Sequence, residues 1–202
     1  MSDLPEGART PAEFDAMYAS TPPWDIGRPQ PTFLGLGTSG QLQGRVLDVG
    51  CGTGEHALMA AGLGLDATGV DTSPTAIEAA RAKARQRGLT VRFLEWDALQ
   101  LDALGERFDT LLDSGLFHIF DDAARARYVE SLEAVTLPGS RYFMLCFSDR
   151  QPAGYGPRRV TEAEIRASFN AGWRIDSIVP ATMDVTIDPR GVQAWFCTFT
   201  RV

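Results

Sequence analysis

A glycine-rich segment that directly follows an apolar run constrains this chain more than any other feature. Residues 46–49 read Val-Leu-Asp-Val and predict a buried β-strand, after which come Gly50, Gly52 and Gly54. Glycines at the end of a strand let the chain turn sharply and let its backbone approach a ligand closely. A helical pattern begins at about Glu55, so the free N–H groups of a helix lie behind the glycines. This order predicts a nucleotide-type crevice at the carboxyl end of a strand.

Acidic residues around the glycines indicate which ligand the crevice takes. Asp48 lies two residues before Gly50, and Glu55 follows Gly54. Carboxylates at these positions would offset the helix dipole that attracts a pyrophosphate, but they suit a ligand with an ammonium and a sulfonium group. The spacing Gly-x-Gly-x-Gly also differs from the dinucleotide pattern Gly-x-Gly-x-x-Gly. S-adenosylmethionine is therefore favoured, while a dinucleotide oxidoreductase and a glycine turn without a ligand are the alternatives.

Composition and charge narrow the class of protein. The chain has 202 residues, 44% of them hydrophobic, which is enough for one domain with a substantial core. Its net charge of -7, without a basic run, argues against a nucleic-acid partner. Cys51, Cys146 and Cys197 lack metal-type spacing. With no secretory signal and no apolar run of membrane-spanning length, we expect a cytoplasmic protein without a membrane partner.

The rest of the chain alternates strand and helix patterns in the order of a doubly wound sheet. Ser73 and Gly88 bracket one helix as its N-terminal cap and C-terminal stop, and Thr161 with Glu164 forms a capping box for another. The last two strands have no helix between them and should form an antiparallel hairpin. We predict an α/β Rossmann-like methyltransferase sheet of seven strands, the last antiparallel. The strands are expected at residues 46–49, 65–70, 91–95, 108–113, 141–147, 173–183 and 192–200.

The segment before the sheet is predicted to cover the crevice. A capping box, Thr10 to Glu13, starts a short helix, and a second short helix is expected over residues 32–39. Between them, residues 21–31 contain four prolines, which exclude a helix interior or a central strand. We call residues 21–31 the lid loop, because a stiff segment costs less entropy to order over a ligand. The alternative is a linker whose Trp24 plugs the core. The predicted division is a lid segment at 1–44 and a cofactor-binding domain at 45–202.

Residues at the ends of the later strands are candidates for the site. Asp71 lies where this architecture places an acid on ribose hydroxyls. Asp97 lies at the sheet edge, where it can read adenine, and Asp113 begins the segment that meets the reaction centre. His118 is the candidate general base, against the alternative of a loop histidine tethered to the backbone or packed beside Phe117. His56 is expected to be a polar surface or cap residue.

At this point the chain resembles the class I S-adenosylmethionine-dependent methyltransferases, over roughly residues 45–200. Its Val46–Gly54 segment is a highly specific motif of that class, and the Pro23–Pro31 segment resembles the thiopurine and tellurite-resistance group. As a whole the chain looks like the mycobacterial heterocyclic toxin methyltransferases, which act on small hydroxyquinolines. The resemblance implies the following cofactor contacts: Trp24, Arg28, Asp48, Gly50, Gly52, Gly54, Asp71, Thr72, Asp97, Ala98, Asp113 and Ser114.

The expected reaction is methyl transfer to a small heteroaromatic, phenolic or thiol acceptor in detoxification or secondary metabolism. The sulfonium is already a good leaving group, so no metal is expected and the protein chiefly aligns the reactants. The acceptor atom stays open among oxygen, nitrogen and sulfur, with Tyr155 and Arg158 as candidate acceptor contacts. The Asp113–His118 segment lacks the motif of DNA adenine methylation. A catalytically silent S-adenosylmethionine-binding regulatory protein is the alternative function.

Overall fold

A mixed seven-stranded sheet organises the computed structural model, which describes residues 10–152, 154 and 156–202. The strand order is β3-β2-β1-β4-β5-β7-β6, with β1 to β5 parallel and β7 antiparallel to both β5 and β6. The strands are β1 Arg45–Val49, β2 Asp66–Asp71, β3 Arg92–Glu95, β4 Thr110–Ser114, β5 Arg141–Phe147, β6 Trp173–Val185 and β7 Asp188–Arg201. The predicted fold class is confirmed. The order reverses between β1 and β4, where an open α/β sheet forms its ligand crevice.

Helices flank the sheet on both faces. They are α1 Pro11–Met17, α2 Pro31–Thr38, α3 Glu55–Gly62, α4 Pro74–Arg87, α5 Asp122–Ala134 and α6 Glu162–Ser168, with short 3-10 segments at Ala98–Leu104 and Phe117–Ile119. The predicted caps are present: Ser73 accepts from the N–H of Ala76, and Gly88 ends α4 in the left-handed conformation. Two buried clusters result, one under α5 and α6 and the other under α2, α3 and α4.

Some element bounds differ from the sequence expectation. Strand β4 begins at Thr110 rather than at residue 108, because the N–H of Phe108 bonds to the carbonyl of Val135 at 2.8 Å. The final hairpin extends farther than expected, since its tip stays paired as far as Val185 and Asp188. The two 3-10 segments were not predicted. The division into a lid segment and a domain stays a prediction, and residues 1–9 of that segment lie outside the described residues.

Asp113 fixes the end of β4. Its side chain is fully buried and accepts four hydrogen bonds, from the N–H groups of Leu116 and Phe117 and from the hydroxyls of Tyr128 and Tyr142, at 2.8–3.1 Å. Burial raises its pKa to about 6 even though the four donors oppose that shift. The carboxylate thereby joins β4, the loop after it, α5 and β5. None of the helices in the described residues is long and apolar enough to cross a membrane.

We expect Asp113→Ala to lower the free energy of unfolding by about 3–5 kcal/mol, because four buried donors lose their acceptor. Tyr142→Phe removes one of these bonds and should cost about 1.5–3 kcal/mol. Urea denaturation followed by circular dichroism measures both values. Asp102→Ala is the matched control, since Asp102 is exposed, and it should change little. Equal stability of the Asp113 and Asp102 variants would contradict this role.

Candidate functional site

The glycine loop can be built only from glycines at its centre. Gly50, Gly52 and Gly54 all have positive φ, at 68°, 50° and 85°. A Cβ on Gly52 would lie 2.7 Å from the hydroxyl oxygen of Tyr18, and one on Gly54 would lie 2.6 Å from the ring of Phe93. The loop is therefore packed closely, against Tyr18 at Gly52 and against Phe93 at Gly54.

Asp48 lies buried beneath this loop. One carboxylate oxygen accepts the N–H of Ala57 in the first turn of α3 at 3.1 Å, while the other, Oδ1, has no hydrogen-bond partner. The Nδ1 atom of His56 is 3.9 Å from Oδ1. Burial raises the pKa of Asp48 to about 7. A positively charged ligand near Oδ1 would stabilise its ionised form.

His56 and Glu55 do not lie where the sequence suggested. The expectation that His56 is a surface or cap residue is wrong, because its side chain is buried, which lowers its pKa to about 4. Glu55 turns to α4, where it pairs with Lys83 and accepts two hydrogen bonds from Arg87, all at 2.8 Å. Burial alone would raise the pKa of Glu55, but these partners lower it. Of the two acids beside the glycines, Glu55 is already paired, so Asp48 is the one that remains for a cationic ligand.

The structure brings Asp71 to the glycine loop. Its carboxylate accepts the N–H of Gly52 at 2.8 Å and that of Ser73 at 2.9 Å, and burial raises its pKa. Thr72 beside it is half-buried. Each carboxylate oxygen carries two lone pairs, so Asp71 retains acceptor capacity for a hydroxyl.

Asp97 and Ala98 lie at the end of the next strand. The carboxylate of Asp97 accepts the N–H of Leu99 and the side-chain amide of Gln100, both at 2.9 Å, and so caps the 3-10 segment that follows. Ala98 is buried. The parallel register of β2 and β3 aligns Asp71 with Glu95, which places Asp97 at the same sheet edge.

Asp113 and Ser114, the two candidates at the end of β4, differ in whether their side chains can reach a ligand. The Asp113 carboxylate points into the core and is wholly buried, so it cannot touch a ligand in this arrangement. Ser114 is half-buried at the strand end. Only the main chain of Asp113, together with Ser114, is available beside a cofactor.

His118 is poorly suited to act as a general base. Its Nδ1 accepts the N–H of Phe147 at 3.1 Å, and its ring packs against the Phe147 ring at 4.8 Å. Burial, with the positive charges of Arg125 and Arg159 nearby, lowers its pKa to about 3. Its binding to the backbone fits the alternative of a tethered loop histidine. Arg158 is engaged in ion pairs with Asp122 and Glu164, and Tyr155 lies outside the described residues.

The lid loop lies against the tip of the β6–β7 hairpin. The indole N–H of Trp24 donates to the Tyr18 hydroxyl at 3.0 Å, and Trp24 is half-buried. Arg28 is exposed and pairs with Asp184 of β6 at 2.7 Å. The N–H of Thr186 donates to the carbonyl of Pro23 at 2.8 Å.

Gln30 holds the lid loop most firmly, and the sequence did not reveal it. Its side-chain amide donates to the carbonyl of Asp184 at 2.9 Å and accepts the N–H of the same residue at 2.8 Å. Its own N–H donates to His56 Nε2 at 3.1 Å. The local sequence shows only a polar residue between Pro29 and Pro31, and this does not predict a partner 154 positions away.

These donors and acceptors fit S-adenosylmethionine. Asp48 Oδ1 is a buried, unpartnered carboxylate oxygen, which suits a cationic group. The hydroxyl of Tyr18 lies against Gly52, and Asp71 retains acceptor capacity beside this glycine.

The chain is similar to known proteins over most of its length. Residues 46–139 match the family described as "Methyltransferase domain". The chain is 40% identical over 174 residues to 2-heptyl-1-hydroxyquinolin-4(1H)-one methyltransferase of Mycobacteroides abscessus, covering 85% of this chain and 77% of the relative. It is 30% identical over 176 residues to probable thiol methyltransferase 2 of Arabidopsis thaliana, covering 85% and 76%.

A solved structure is similar over nearly the whole chain. It was described in work on the conversion of a disulfide bond into a thioacetal group during echinomycin biosynthesis. The TM-score is 0.87 at 40% sequence identity, with 95% of this chain and 93% of that chain covered.

We expect Gln30→Glu to weaken the binding of S-adenosylhomocysteine about tenfold or more, which corresponds to about 1.4 kcal/mol. The substitution removes the donor to the Asp184 carbonyl and sets a carboxylate against it, which should release the lid loop. Isothermal titration calorimetry measures the affinity. Gln41→Glu makes the same charge change on an exposed side chain and is the control. Equal affinities for the two variants would show that Gln30 does not hold a cofactor lid.

Proposed function

Because this chain belongs to the class I S-adenosylmethionine-dependent methyltransferases and is a small-molecule methyltransferase, we propose that its acceptor is a small heteroaromatic, phenolic or thiol compound. We propose a role in detoxification or secondary metabolism. The observation that carries this proposal is the 40% identity to the hydroxyquinolone methyltransferase across 85% of the chain. The similarity to a probable thiol methyltransferase supports sulfur as a second acceptor atom.

We propose that the cofactor lies along the carboxyl ends of β1 to β4. Asp48 and the glycine loop would hold its amino-acid end, Asp71 and Thr72 its ribose, and Asp97 with Ala98 its adenine. Ser114 would lie near the sulfonium, while Trp24 and Arg28 of the lid loop would cover it. The contacts of Asp71 with Gly52 and of Arg28 with Asp184 support this arrangement. We retain the segment 1–44 as a proposed lid and 45–202 as the proposed domain.

Bound S-adenosylmethionine supplies an electrophilic methyl group with a good leaving group attached. The chain's contribution is to orient the acceptor in line with that bond and to exclude water. Such positioning is worth about 7–11 kcal/mol in favourable cases. The lid loop, held by Gln30 and Thr186, is the segment that can close the site. His118 lies beside Gly115, next to Ser114, but its pKa is lowered to about 3, which makes it a weak base. We therefore propose catalysis by alignment of the reactants.

We expect the protein to transfer a labelled methyl group from S-adenosylmethionine to at least one member of a panel of 2-heptyl-1-hydroxyquinolin-4(1H)-one, 4-nitrothiophenol and a simple phenol. Mass spectrometry of the product identifies the methylated atom. Gly52→Ala should lower kcat/KM for the cofactor about tenfold or more, since its methyl group would meet Tyr18.

Gly40→Ala is the matched control for this experiment. Gly40 has a similar φ of 69° but open space around it, so this variant carries the backbone strain without the clash. Its kcat/KM should stay near that of the wild type. Binding of S-adenosylhomocysteine without any methylated product would instead favour a catalytically silent binding protein.

A further inference from the structure

His118 borders the main chain at the end of β4. Its Nε2 lies 3.7 Å from the position that a Cβ on Gly115 would occupy, and the Met183 methyl reaches the same position at 3.7 Å. Gly115 directly follows Ser114, the residue proposed to lie near the sulfonium. The imidazole therefore lies one residue along the chain from the proposed position of the sulfonium.

The hydrogen bond at Nδ1 determines which nitrogen carries the proton. Nδ1 accepts the N–H of Phe147, so it is unprotonated, and the single proton of the neutral ring is on Nε2. Nε2 has no hydrogen-bond partner among the described residues, and 6% of the surface of His118 is exposed to solvent. His118 thus presents a fixed N–H donor that the fold does not use.

The surroundings of this donor are positively charged. Arg125 of α5 lies over the Phe117 ring at 4.7 Å, and Arg159, after β5, lies over the Phe147 ring at 5.5 Å. Both guanidinium groups act on His118 electrostatically. Glu164 is 3.4 Å from Arg125 and compensates part of its charge. No carboxylate of the described residues hydrogen-bonds to the imidazole. An N–H donor in such a field favours an anion.

We propose that His118 is a hydrogen-bond donor that binds the methyl acceptor as an anion, an oxyanion or a thiolate. This inference rests on the proposed function and narrows its acceptors to compounds that ionise at oxygen or sulfur. The acceptor loses its proton to solvent before the reaction. Its anionic atom then forms a bond to the methyl carbon while the bond from that carbon to the sulfonium sulfur breaks. The electron pair of the broken bond stays on sulfur, and both products are neutral at the reacting atoms.

Two substitutions of His118 test whether the residue acts as a hydrogen-bond donor, as a general base or only as part of the structure. His118→Asn keeps an acceptor near the Nδ1 position for the Phe147 N–H but removes the donor at Nε2. His118→Gln extends an amide to the Nε2 position but leaves the Phe147 N–H without its acceptor. Thermal unfolding and S-adenosylhomocysteine affinity establish that each variant is folded.

The probes are 2-heptyl-1-hydroxyquinolin-4(1H)-one and 4-nitrothiophenol. We expect each bound probe, titrated by absorbance with S-adenosylhomocysteine present, to have a lower pKa on the wild-type enzyme than in buffer. His118→Asn should raise KM for the acceptor about tenfold and return the bound pKa toward its value in buffer, because a bond to a charged group is lost. Its kcat should not fall, since the negative charge disappears in the transition state. His118→Gln should lie between this variant and the wild type.

Three results would overturn the inference. A loss of kcat in both variants that is recovered at high pH would make His118 a base. An unchanged KM in His118→Asn, with His118→Gln the worse variant, would make it structural only. An unshifted pKa of the bound probe on the wild-type enzyme would exclude anion binding even if the variants fail to fold. Absence of methylated product from every acceptor in the wild type would instead overturn the proposed function.

Discussion

Buried carboxylates at the carboxyl edge of the sheet are the constraint on which the loops of this protein depend. A carboxylate taken out of water costs several kcal/mol unless donors meet it. Here main-chain N–H groups of the loops at this edge supply many of these donors: Gly52 and Ser73 for Asp71, and Leu116 with Phe117 for Asp113. Satisfying the acids therefore fixes the conformations of the loops that form the crevice. The fold alone therefore sets the shape of these loops.

The antiparallel hairpin extends this arrangement to the lid loop. Because β7 runs opposite to β5, the β6–β7 tip projects at the same edge as the crevice. Gln30 pairs with the backbone of Asp184 as a strand neighbour would, and Thr186 binds Pro23. The lid loop is thus held by the last element of the sheet as well as by its own aromatic contacts. The hairpin that completes the fold therefore also holds residues 21–31 in place.

Sequence patterns predicted the features that depend on neighbouring residues. The capping box at Thr161 and the stop at Gly88 are local, because their donors and acceptors lie within four or five positions. The strand order followed from the alternation of strands and helices together with the final hairpin. The direction of the Asp113 side chain and the partner of Gln30 could not be predicted, because both depend on residues that only the tertiary fold brings near. Glu55 shows the same limit, since its partners lie on another helix.

The two acidic residues beside the glycines, Asp48 and Glu55, have different roles once their partners are known. Glu55 is neutralised by two cations, whereas Asp48 keeps one oxygen without a partner and a pKa raised to about 7 by burial. A cation that reaches Asp48 would stabilise its ionised form, and a carboxylate facing His56 Nδ1 favours the tautomer whose Nε2 accepts the N–H of Gln30. The imidazole of His56 therefore lies between Asp48 and Gln30 of the lid loop, with one ring nitrogen toward each. A cationic cofactor beside Asp48 would strengthen the hydrogen bond from the Gln30 N–H to His56. A pyrophosphate would instead be repelled by the charge of Asp48.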